Sequence, residues 1–140
     1  MIRSQSSKDA GTAGALAAIV LCLAGGGVEA KPGGLPLRLG DCVNTRVKSI
    51  ETRLTDGSTN KPIAGSGSAV VFTNGGYQVS YDTVPAIEAS RVGDPVRMCL
   101  IIIPHHCPPG DHRGRHYRTT NLRTHQTWKL PDNEHGCRGA

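Results

Sequence analysis

The clearest alternation of apolar and polar residues lies in SAVVFTNGGYQVSYD, residues 68–82. Two runs of β-type residues flank an Asn-Gly pair, which is the strongest short signal for a hairpin turn. The pattern therefore predicts two antiparallel strands. If the loop has the matching register, we expect Val70 and Phe72 to share a face with Tyr77, Val79 and Tyr81, because side chains alternate along a strand.

Four further stretches have strand character. DPVRMCLIIIP, residues 94–104, is apolar on both faces from Cys99 onward, which is typical of a strand buried on two sides. CVNTRVKSIETRL, residues 42–54, is rich in β-branched residues and predicts a strand, although its apolar spacing also fits a helix. RHYRTTN and QTWKLPD, residues 115–121 and 126–132, predict a last antiparallel pair.

These short strands, separated by turns, predict an all-β fold. We expect a small five-stranded β-barrel of the OB-like or SH3-like kind, or a sandwich. The chain has one Trp, one Phe and three Tyr, so few large side chains are available to fill its core. Disulfides commonly compensate for a thin core.

The first thirty residues have the pattern of a signal peptide. A polar leader precedes the apolar run Ala15–Gly25, and small residues lead up to Ala30. The run is far shorter than the roughly 20 residues that span a bilayer. We therefore expect cleavage near Ala30, no transmembrane segment, and a periplasmic or secreted product. A flexible lead-in, residues 31–41, would precede a disulfide-stapled β domain, residues 42–140.

The chain beyond that leader contains an even number of cysteines, which are Cys42, Cys99, Cys107 and Cys137. In an exported protein this indicates two disulfides. We favour Cys42 with Cys99 and Cys107 with Cys137, but Cys42 with Cys137 and Cys99 with Cys107 fits almost as well. A pair of thiols that binds metal or acts as a nucleophile is the alternative to disulfides.

The charge of the chain is positive, at +5 with histidine neutral. Arg113, Arg115, Arg118 and Arg123 form a basic stripe with Tyr117 inside it. Arginine binds phosphate and carboxylate groups bidentately, which favours an anionic polymer or surface as partner. Nucleic acid is not expected in an exported compartment. In the alternative interpretation Tyr117 is a core residue, and the arginines are simply the solvent-exposed residues on the opposite side.

Histidines are concentrated near the last third of the chain, where His105, His106, His112 and His116 fall close together. Imidazole binds Zn²⁺ or Cu²⁺ when three or four donors converge. The spacing matches no standard zinc module, and the neighbouring prolines and glycines disfavour a helix that would bring His112 and His116 together. A metal site is therefore an alternative hypothesis, and no other cofactor is expected.

We find no catalytic constellation, so the sequence does not predict an enzyme. The conclusion is a non-enzymatic binding module that engages an anionic partner through its Arg/His-rich C-terminal hairpin. A periplasmic metal-binding protein is one alternative. The other is an inhibitor of a secreted hydrolase, in which the stiff HHCPPGDHRG loop, residues 105–114, would insert into the target.

Three stretches carry a resemblance to known sequences: GGYQVSYDTVPAIEASRVGDPVRMCL, CPPGD-RG--Y and TNLRT---W-LPD-EH-C. They resemble a family of small exported bacterial proteins of uncharacterised function, over roughly residues 42–139. The resemblance implies export and a framework of two disulfides. It implies no activity, cofactor or partner.

Overall fold

The computed structural model describes residues 33–139. The predicted signal peptide lies outside these residues. The elements are β1 (Cys42–Thr52), β2 (Ser68–Phe72), β3 (Tyr77–Ser80), the single-turn helix α1 (Pro85–Glu88), β4 (Pro95–Ile102), β5 (His116–Asn121) and β6 (Thr127–Pro131).

The strands form one antiparallel sheet of six strands in the order β3-β2-β1-β4-β5-β6. The sheet curls into a half-barrel, so that its two edge strands, β3 and β6, lie against each other. The predicted all-β class is confirmed, and the sheet has one strand more than the five expected. The stretch whose spacing also fitted a helix is the strand β1.

The interior of the half-barrel is the hydrophobic core. Its buried members come from five of the strands and from α1: Val47, Val70, Phe72, Ile87, Val96, Met98, Leu100, Tyr117 and Trp128. From the lead-in, Leu35 packs against this core. Gly40 and Asp41 make backbone hydrogen bonds with Leu100, so the lead-in joins the sheet beside β4.

Both disulfides follow the favoured pairing. Cys42 and Cys99 stand directly opposite each other on β1 and β4 and are bonded. Cys107 is bonded to Cys137, which ties the loop before β5 to the C-terminal tail. The alternative pairing is therefore excluded.

The predicted hairpin forms, but the predicted facing of its side chains is wrong. Val70 stands opposite Gln78, while Tyr77 stands opposite Val71. The cause is the loop, which has three residues between Phe72 and Gly76 and contains Gly75 at a positive φ of 84°. The loop length fixes which positions pair in a hairpin, and a slip of one residue turns every side chain to the other face.

This register places a glutamine inside the half-barrel. Gln78 is fully buried. Its amide nitrogen donates to the carbonyl oxygens of Tyr117 (2.8 Å) and Leu130 (3.1 Å). Its amide oxygen accepts from the Thr119 hydroxyl (2.7 Å) and the Trp128 indole (2.9 Å). One side chain of β3 therefore joins the opposite edge of the sheet, β5 and β6, through four hydrogen bonds.

Candidate functional site

The outer face of β4, β5 and β6 carries three exposed cations. Opposite residues of an antiparallel pair share a face. The register places Cys99, Arg118 and Lys129 in one row across the three strands. Arg97 and Thr120 stand opposite each other in the next row. Because Leu100 and Tyr117 point into the core, these two rows point outward.

An open groove of about 400 Å³ lies on this face. It is lined by Cys42, Arg97, Cys99, Arg118, Thr120 and Thr127. The disulfide and the two threonines are short side chains, whereas the two arginines are long and exposed. Arg97 and Arg118 are diagonal neighbours on adjacent strands, which places their Cβ atoms within about 8 Å. A small anionic group can therefore contact both guanidinium groups.

Within residues 33–139, no carboxylate is paired with the charges of this face. Arg97, Arg118 and Lys129 make no side-chain hydrogen bond or salt bridge within residues 33–139. Strands β4, β5 and β6 contain no Asp or Glu. Arg118 and Lys129 are directly opposite each other, an arrangement that destabilises a sheet when the charges are alike. A bound anion would remove that repulsion.

Arg123, one of the residues predicted to bind anions, forms a salt bridge with Asp94. Its Nε donates to Asp94 Oδ1 (2.6 Å), and its Nη2 donates to Asp94 Oδ2 (2.8 Å) and to the Ala89 carbonyl oxygen (2.8 Å). Hydrogen bonds from Arg123 and from Asn121 keep the pKa of the nearly buried Asp94 well below its usual range. Arg123 thus fastens the turn after β5 to the turn before β4.

Arg113 is likewise paired, with Asp111. Its Nε and Nη2 donate to the two carboxylate oxygens of Asp111 at 3.0 and 2.7 Å. This fork lowers the pKa of Asp111 to about 2. Arg115 contacts the same loop, since its Nη2 lies 3.5 Å from Nδ1 of His112.

Tyr117 is not exposed on a surface shared with the arginines. Its side chain is buried in the core, and burial raises the pKa of its hydroxyl. Of the predicted anion-binding residues, Arg118 alone lines the groove. The structure therefore does not assemble Arg113, Arg115, Tyr117, Arg118 and Arg123 into one stripe.

The four histidines considered as metal ligands do not converge. In the described part of the chain, no group of three or more His, Cys, Asp or Glu side chains is arranged to hold a metal ion. His105, His106 and His112 are exposed in the loop before β5, while His116 is in β5 itself. The Cys107–Cys137 bond brings the tail to this loop, yet His135 completes no site there.

Sequence reasoning missed Arg97 and Lys129. Arg97 lies between the buried Val96 and Met98, and Lys129 lies between the buried Trp128 and the partly buried Leu130, so the alternation was a usable signal. Their proximity to Arg118 depends on the strand order and register, which alternation does not give.

None of the helices described by the structure is long and apolar enough to cross a membrane. No family model, no curated protein and no solved structure matches the chain. The resemblance to small exported bacterial proteins therefore stays a prediction.

Proposed function

We propose that this protein is an exported, non-enzymatic binding module that holds an anionic partner on the outer face of β4, β5 and β6. The observation that carries the proposal is a cluster of three exposed cations that have no carboxylate partner among residues 33–139: Arg97 and Arg118, which line the groove, and Lys129, which stands opposite Arg118. We call this set the cationic face. It includes the outer side of the C-terminal hairpin, β5–β6.

The chemistry of the cationic face favours phosphate, sulfate or carboxylate groups. Guanidinium forks bind such groups bidentately, and nearby threonine hydroxyls add neutral donors. The contrast with the other arginines supports this role. Arg113 and Arg123 have carboxylate partners within the protein, whereas the arginines of the cationic face have none among residues 33–139.

Export is supported by the cysteines. Two disulfides in a domain of this size are typical of an oxidising compartment, and residues 1–30 have the pattern of a signal peptide. We place the protein in the periplasm or the medium. The resemblance to small exported bacterial proteins points in the same direction.

Inhibition of a secreted hydrolase is the second candidate. The loop between β4 and β5 exposes His105, His106, Pro108 and Pro109, and the Cys107–Cys137 bond fixes it to the tail. A fixed, exposed loop loses little entropy on insertion into a target. Inhibition through this loop should persist at high salt, unlike binding at the cationic face.

Heparin is a suitable polyanion with which to test the cationic face. We would measure the affinity of the disulfide-intact protein for heparin over a series of NaCl concentrations. Arg97→Ala, Arg118→Ala and Lys129→Ala are combined in one variant. We expect strong binding by wild type at low salt, and a slope of log K against log[salt] that is smaller by about three for the variant.

The control removes three exposed cations elsewhere, by Lys61→Ala, Arg91→Ala and Arg138→Ala. Both variants have the same net charge, so a loss caused by net charge alone would be equal in the two. Equal losses, or undiminished binding by the first variant, would contradict the proposal.

A further inference from the structure

Exposed apolar residues lie at one end of the cationic face. Leu37 and Leu39 are 68% and 64% exposed, and Ile102 is 48% exposed. Large apolar side chains that are exposed close together commonly mark a contact surface. The cationic face alone does not account for them.

The backbone brings these residues to the same end of the sheet. Gly40 N–H donates to the Leu100 carbonyl oxygen at 2.9 Å, and Leu100 N–H donates to the Asp41 carbonyl oxygen at 3.0 Å. Leu39 therefore lies beside the last residues of β4, where Ile102 is located.

Ile102 lies on the same outer side of the sheet as the cationic face, because the register shifts between Leu100 and Ile102. It stands opposite His116, and His116 is two positions before Arg118 on β5. Alternation along β5 places His116 and Arg118 on one side of the sheet. Arg38, exposed between the two leucines, adds a further cation at this end.

Apolar side chains next to cations match the boundary of an anionic bilayer. Leucine and isoleucine side chains are stable at the boundary between headgroups and acyl chains, while arginine and lysine stay among the headgroup phosphates. A soluble polyanion would engage the cations but would leave the leucines in water.

We propose that the partner is an anionic phospholipid surface, on which this end of the module docks. Leu37, Leu39 and Ile102 enter the headgroup boundary, and Arg38 and the cationic face contact the anionic headgroups. This inference rests on the proposed function, because it uses the same cations. Asp41, exposed beside Gly40, is a carboxylate at the same end that weakens the attraction.

The test uses vesicles of phosphatidylcholine, with and without about a third of phosphatidylglycerol, in a cosedimentation assay. We expect the full disulfide-bonded protein to bind the anionic vesicles and not the neutral ones. Leu37→Ser, Leu39→Ser and Ile102→Ser, combined, should weaken vesicle binding by about tenfold or more and leave heparin binding unchanged. Arg97→Ala, Arg118→Ala and Lys129→Ala should weaken both.

A matched control replaces exposed apolar residues elsewhere, by Leu54→Ser, Ile63→Ser and Val92→Ser. It should bind vesicles and heparin like wild type. Leu39→Trp gives a second measurement, since its fluorescence should shift to the blue with anionic vesicles if the side chain leaves water.

Heparin binding without binding to anionic vesicles would overturn this inference and leave the proposed function standing. Failure to bind either would overturn both. Vesicle binding that survives the three serine substitutions, with no shift at Leu39→Trp, would also overturn the inference.

Discussion

Polar side chains on the two faces of the curled sheet differ in burial and in hydrogen bonding. On the inner face, Gln78 is completely buried and makes four hydrogen bonds. On the outer face, Arg118 is exposed beside Lys129, a like charge, without a hydrogen-bond or salt-bridge partner in the described region. The same strand, β5, contributes to both arrangements.

The difference separates what holds the fold from what is available for binding. A buried polar group must be satisfied, because an unmade hydrogen bond in the interior costs about 1–3 kcal/mol. On the outer face, water screens the repulsion between like charges, so Arg118 and Lys129 lower the stability of the fold only slightly and do not add to it. Their contribution is expected in binding.

The largest expected effect is on the inner face. Gln78→Ala leaves the Trp128 indole, the Thr119 hydroxyl and two carbonyl oxygens without their partner and opens a cavity. We expect the free energy of unfolding to fall by about 3–5 kcal/mol, measured by denaturant titration. Gln126→Ala, at an exposed glutamine, is the control and should change it by less than about 0.5 kcal/mol. Similar stability of the two variants would refute the structural role of Gln78.

An intermediate effect on stability is expected from lowering the pH, through the Asp94–Arg123 pair that joins the turn before β4 to the turn after β5. Hydrogen bonds from Arg123 hold the pKa of Asp94 below its ordinary value of 3.8 in the folded protein. A lowered folded pKa stabilises the fold above the unfolded pKa, and this stabilisation is lost as the pH falls through 3.8 toward the folded value. The fall in melting temperature between pH 7 and a pH below about 4 should therefore be smaller for Asp94→Asn than for wild type. An equal fall in melting temperature for the two proteins would contradict a stabilising role of the Asp94–Arg123 pair.

The smallest expected effect is a gain of stability on the outer face. Arg118→Glu converts a like-charge pair with Lys129 into an opposite-charge pair, and we expect unfolding to require about 0.2–1 kcal/mol more. The same variant should lose affinity for heparin, whereas Arg91→Glu should change it little. A variant that is less stable, or that binds heparin as well as wild type, would remove the contrast between the two faces.

The sequence was informative where a short-range pattern decides the structure. The Asn-Gly pair marked the hairpin, alternation marked the last strand pair, and the even number of cysteines after residue 30 indicated two disulfides. The facing of Val70 and Phe72 was predicted wrongly, because one additional loop residue reverses it. The metal hypothesis for the histidines depended on their convergence, which spacing alone does not establish.

The sequence by itself determined the all-β class, the framework of cysteines and the excess of positive charge, since each follows from composition or from residues close together in the chain. Tertiary structure decided which arginines are paired with carboxylates and which have no such partner among residues 33–139. It also decided that Gln78 lies inside, and that Arg97 and Arg118 line one groove with Lys129 opposite Arg118. These outcomes depend on strand order and register, through contacts between residues far apart in the sequence.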